Sequence, residues 1–173
     1  MTSPRLTFLI AFLLFIPFVS AYGQEETNNR FGKLVIKTDE TDNLKHKLLF
    51  KGNQILEYMG ESLKIEETLT GNDRDFVIVV ENSGGIACPS QIVIVELDKT
   101  GVVKTSKEFG TCLPPEVVRL VNHRVVIEMF PYYPHPELIP RKQLREAERT
   151  KEIFIWYQGR LSKKVAPRNQ RSS

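Results

Sequence analysis

Three short runs constrain this chain more than anything else in it: FVIVV at 76–80, IVIV at 92–95 and IFIWY at 153–157. Each is apolar at consecutive positions, rich in β-branched or aromatic residues, and too short for a helix. A strand points successive side chains to opposite faces, so an apolar run without alternation has both faces covered. These runs are expected to be central strands. A curled sheet or a second packed sheet supplies the cover, so the expected fold is all-β: an antiparallel meander forming a sandwich or a partial barrel.

Turn formers punctuate the remaining sequence. Residues 48–50 and 54–58 flank Lys51-Gly52-Asn53, where Gly and Asn suit the positive φ angles of a tight hairpin. Hairpins are likewise expected between 63–69 and 76–80, 92–97 and 102–105, 117–121 and 125–130, and 153–157 and 160–165. Only 140–150, PRKQLREAERT, reads as a helix: proline suits its first turn, Leu144 and Ala147 give it a narrow apolar side, and the rest is charged. No internal repeat is evident. A closed propeller is disfavoured, because blades of about 40 residues would number fewer than the usual four.

At the N-terminus MTSPR precedes the apolar run 6–16, which is shorter than the roughly 20 residues of a spanning helix and is followed by Pro17. Val19-Ser20-Ala21 and Ala21-Tyr22-Gly23 are small-x-small cleavage patterns. Residues 1–23 are therefore expected to be a signal peptide, with a retained anchor as the alternative. QEETNNR, 24–30, reads as a flexible lead, 31–165 as a single β domain, and 166–173 as a disordered basic tail that could otherwise serve as an arm for anionic surfaces. Arg5 is the only charge in the leader, so the mature chain balances 23 basic against 21 acidic residues. That balance gives no reason to expect a nucleic-acid partner.

An exported chain folds where thiols oxidise, and this one has two cysteines, Cys88 and Cys112. Cys88 lies just before the strand at 91 and Cys112 just after its return strand, so hairpin geometry brings them together as a disulfide. A redox-active pair would want Cys-x-x-Cys, which is absent. The stretch Asn82-Ser83-Gly84-Gly85, Ala87-Cys88-Pro89 and Glu108-Phe109-Gly110-Thr111-Cys112 resembles a pattern of uncharacterised secreted bacterial proteins over roughly 48–130. The resemblance implies export and an all-β fold, and no activity.

Catalytic and metal signatures are incomplete. His135-Pro136-Glu137 matches the first half of a zinc deaminase signature, but the downstream Pro-Cys-x-x-Cys is missing. His46, His123 and His135 have no metal-ligand spacing, and Asp39–Asn43 lacks the glycine and distal glutamate of a calcium loop. No Gly-x-Ser-x-Gly elbow occurs. Glu66-Glu67 and the pair Asp73 and Asp75 read as surface charge. No cofactor or metal is expected.

One stretch stands apart: Phe130-Pro131-Tyr132-Tyr133-Pro134-His135-Pro136. Prolines stiffen it, and adjacent tyrosines on an extended segment point apart, so at least one is free for contact unless both cap the sheet. Tyr132, Tyr133 and His135 are thus the candidate partner-binding residues, for an envelope protein or a glycan. The expected function is an exported, non-catalytic envelope binding or inhibitory/immunity protein; the alternative is a periplasmic hydrolase acting on an envelope substrate. The Ser-Gly-x-x-Tyr loop of secreted lysozyme inhibitors is absent, and a positive net charge does not suit capture of a basic lysozyme.

Overall fold

The computed structural model describes residues 25–168 apart from 86 and 102. The fold is all-β, built from three four-stranded antiparallel sheets, each a meander of consecutive strands. The first holds β1 (Glu25–Asn29), β2 (Gly32–Thr38), β3 (Lys45–Phe50) and β4 (Asn53–Met59). The second holds β5 (Ser62–Thr70), β6 (Arg74–Asn82), β7 (Ser90–Asp98) and β8 (Val103–Thr105). In the third are β9 (Val117–Val121), β10 (Arg124–Met129), β11 (Thr150–Tyr157) and β12 (Arg160–Pro167). A 3-10 turn (Pro136–Leu138) and one short helix, α1 (Arg141–Ala147), lie between β10 and β11.

The doubly apolar runs explain the layering. On β6 and β7 the residues Val77, Val79, Val93, Val95 and Leu97 pack against Leu34, Ile36, Leu48 and Phe50 of the first sheet. Their neighbours Phe76, Ile78, Ile92 and Ile94 point the other way, onto Val125, Ile127, Met129, Phe154 and Trp156 of the third sheet. The second sheet is therefore the middle layer of a three-sheet stack, and its two faces feed two cores. β1 touches β5 and β5 touches β9, so the first strands of successive meanders meet along the stack. This is a structural repeat that the sequence conceals.

Two boundaries differ from the sequence reading. Glu25–Asn29 is no flexible lead: it pairs residue for residue with β2, from Glu25 opposite Ile36 to Asn29 opposite Gly32. Backbone bonding needs no apolar side chain, so hydropathy cannot reveal such an edge strand. At the other end β12 runs to Pro167, past the expected domain limit, and the expected signal peptide and most of the basic tail lie outside the described residues. The hairpin at 51–53 also turns differently, since Lys51 (φ 51°) and Gly52 (φ 83°) take the left-handed conformations while Asn53 opens β4.

The cysteines sit where hairpin geometry suggested. Cys88 and Cys112 are bonded, with Cα atoms 4.6 Å apart. The return side of β7 continues past β8: Ser106 donates its N–H to the Ile94 carbonyl at 2.9 Å, and Phe109 to that of Ile92 at 3.0 Å. That continuation carries Cys112 back to the start of β7. Such a bridge is compatible with folding in an oxidising compartment.

Candidate functional site

The connection from β10 to β11 departs from the meander rule of short turns. It carries the proline segment and α1, whose Leu144 and Ala147 wall a hollow of about 360 Å³ together with Phe130, Pro131, Tyr133 and Pro136. Arg168, just past β12, closes one side. Its guanidinium stacks on the Phe130 ring at 4.2 Å, and its backbone N–H donates to the Arg149 carbonyl at 2.8 Å. A second hollow of about 250 Å³ shares Pro131, Tyr133 and Ala147 with the first and reaches Val165, which is 62 % exposed. It shares Glu146 and Thr150 with a third, of about 430 Å³, lined by Lys142, Arg145 and Arg149. The three adjoin in a row as one groove: the first is aromatic and apolar with Glu148 and Arg168 at its edge, the middle one carries Glu146 and Glu152, and the last is basic.

The sequence-derived contact residues part company here. Tyr133 stands in the wall of the first two hollows, whereas Tyr132 lines neither; both residues are half-buried. His135 is exposed and lines none of the three hollows, its Nδ1 3.2 Å from Glu137 Oε1. The groove's other walls, Phe130, Leu144, Ala147 and Arg168, were not expected. The sequence signals were the apolar side of the helix for Leu144 and Ala147 and the head of the proline segment for Phe130; Arg168 had none.

Charge is segregated along the stack. Residues 117–168 carry eleven basic and five acidic side chains, while 25–116 carry eleven basic and sixteen acidic. The groove thus lies in the positive part of a molecule whose first two sheets are negative.

Three carboxylates are buried in the middle sheet, and each meets a different fate. Asp75, expected on the surface, is 1 % exposed and faces the first sheet, where Arg30 Nε lies 3.0 Å from its Oδ1. Arg30 also donates to the carbonyls of Gly71, Asn72 and Arg74, so one guanidinium pins the β5–β6 turn to the first sheet. Glu96 faces the third sheet and is held by Arg74 and by the Trp156 indole N–H, the latter at 2.8 Å. Glu81 has neither kind of partner. It is 1 % exposed, and among the described residues both its oxygens lack a hydrogen bond. Burial, and then the nearby Glu108 carboxylate, push its pKa up to about 7.

A further hollow, of about 420 Å³, opens at the hairpin tips between the second and third sheets, lined by Asn72, Asp73, Arg74, Glu96, His123 and Gln158, with Phe76 and Tyr157 as aromatic walls. The Arg74 guanidinium beside Asp73 holds its carboxyl below the usual range. Among the described residues no three His, Cys, Asp or Glu side chains gather as a metal site would require. No protein-family model, no curated protein and no solved structure matches this chain.

Proposed function

We propose that this is an exported binding protein of the cell envelope that takes an acidic, extended segment of a partner protein in the groove between the proline segment and α1. One observation carries the reading: a hollow walled by Tyr133 and Phe130 is linked, past Glu146 and Glu152, to a hollow lined by Lys142, Arg145 and Arg149, within the positive part of a charge-segregated chain. A rigid aromatic anchor loses little entropy on contact, and flanking basic side chains steer an acidic ligand to it. The disulfide and the leader-like sequence at 1–23 support export.

The test uses a labelled peptide of alternating Glu and Phe, with a Lys and Phe peptide as control, read by fluorescence anisotropy. Binding of the acidic peptide should weaken about 30-fold in Tyr133→Ala, the effect of losing a contact worth about 2 kcal/mol. Arg145→Glu should slow association and remove most of its salt dependence. Equal binding of both peptides, or an unaffected Tyr133→Ala of normal stability, refutes the groove. Intact mass of the protein recovered from its exporting host should show a chain beginning at Tyr22 or Gln24; a chain beginning at Met1 refutes export with cleavage.

A further inference from the structure

The hollow at the hairpin tips is independent of the groove, and its chemistry differs. Three tips from two sheets build it: the β5–β6 turn brings Asn72, Asp73 and Arg74, the β9–β10 turn His123, and the β11–β12 turn Gln158. Two of those tips are tight turns in left-handed conformations, Asn122 (φ 48°) with His123 (φ 62°) and Gln158 (φ 51°) with Gly159 (φ 79°), so the rim is held by the backbone. At the floor lies the Glu96 carboxylate, 3 % exposed and bonded to Arg74 and Trp156.

The charges of this hollow are largely spent on one another. Arg74 contacts Asp73 at 3.4 Å and Glu96 as well, so that one guanidinium answers two carboxylates and a single net negative charge remains among the three. What remains is directional: the amides of Asn72 and Gln158, each offering donors and an acceptor, and the outer lone pairs of the two carboxylates. Phe76 and the Tyr157 ring, 40 % exposed and held by Arg124 at 5.0 Å, add apolar surface. A pyranose ring combines the same two features, an apolar C–H face and a rim of hydroxyls that each donate and accept. The volume, about 420 Å³, lies in the range of roughly 300–1,000 Å³ typical of small-ligand sites.

From this match we infer that the hollow binds a neutral carbohydrate, one or two sugar rings seated against Tyr157 with hydroxyls on Asn72, Gln158 and the Asp73–Arg74–Glu96 array. Trp156 is the only tryptophan of the chain, and its indole N–H is bonded to the floor of the hollow, so its emission reports occupancy. The probes are methyl glucoside, N-acetylglucosamine and maltose, with choline and sodium sulfate as cationic and anionic controls. The expected result is a saturable change in emission with the sugars alone, accompanied by amide chemical-shift changes at Asn72, His123 and Gln158. Asn72→Ala and Gln158→Gly, both at exposed positions, should each weaken it about tenfold, the loss expected for one or two hydrogen bonds, without lowering the melting temperature. Silence in both emission and shifts with all three sugars overturns the inference. So does an equal response to choline or sulfate, or one unaltered in both variants.

Discussion

Glu81 offers the sharpest test of the packing described above, because its ionisation couples to folding with a definite sign. Its side chain continues the Val77, Val79 face of β6 toward the first sheet, between Leu63 and Gln91 on the adjoining strands. The titratable neighbours are Tyr58 of β4 and Glu108 after β8; burial, and then the Glu81 and Glu108 carboxylates, push the Tyr58 hydroxyl up as well. Among the described residues, burial and Glu108 both act against a negative charge there. In the unfolded chain the carboxyl titrates near its ordinary 4.5, and in the folded chain near 7. Between those values the folded state holds a proton that the unfolded state has released, so stability falls as pH rises through the window and levels off above about 7. Below about 4.5 both states are protonated and the group contributes no pH dependence. At about 1.4 kcal/mol per pH unit, the full effect is about 3 kcal/mol.

Glu81→Gln removes the ionisation and keeps the shape. Urea denaturation of wild type and variant at matched pH isolates the group, because other titrations cancel in the difference. The two proteins should be equally stable near pH 4, while near pH 8 the variant should be more stable by about 3 kcal/mol, or some 6–12 °C in melting temperature for a domain of this size. Glu81→Leu should show the same loss of slope even if its packing shifts the baseline. A difference that does not grow with pH refutes the argument, and a variant less stable than wild type at pH 8 would mean that the carboxylate is paired in solution.

Two further outcomes follow from the same contacts. Cys88→Ala should cost about 2–5 kcal/mol by urea denaturation, and thiol titration of the unfolded, unreduced wild type should find no free thiol. Arg30→Ala should cost about 3 kcal/mol, since it strands the buried Asp75 charge, and Arg30→Lys should recover only part of that loss because an ammonium cannot serve Asp75 and three carbonyls at once; full recovery by lysine would refute the guanidinium's pinning role.

The sequence was legible where side chains alone decide. The runs at 76–80 and 92–95 had to be covered twice, and they are the middle layer; the run at 153–157 is covered only in part on its second face, since Phe154 and Trp156 enter the second core while the opposite face passes from Ile153, 1 % exposed, to Tyr157, 40 % exposed. Hairpins were legible from their turn residues. The division into three sheets was not, because the two-residue link Gly60-Glu61 looks like a hairpin turn yet passes between sheets, its N–H groups donating to the carbonyls of Leu44, just before β3, and of Asn82 in β6. The repeat was hidden by unequal connections, above all the 130–149 insertion that holds the groove. The buried carboxylates were missed for want of a parity argument: Val77-x-Val79-x-Glu81 and Ile92-x-Ile94-x-Glu96 each set a charge on a core-facing position.

Those charges also resolve an ambiguity that the apolar residues leave open. A strand with one apolar face has its register fixed, since a slip by one residue turns that face to water. β6 and β7 are apolar on both faces, so a slip would exchange valines for isoleucines and change little in burial. The carboxylates break this degeneracy. Asp75 meets Arg30 only if it faces the first sheet, and Glu96 meets Trp156 only if it faces the third. A one-residue slip of either strand would bury an unpaired charge, at a cost of several kcal/mol, far above any difference between Val and Ile packing. The partnered carboxylates therefore specify which face of the middle sheet meets which neighbour. Glu81, which has no such partner, contributes nothing to that choice at low pH and opposes folding at high pH.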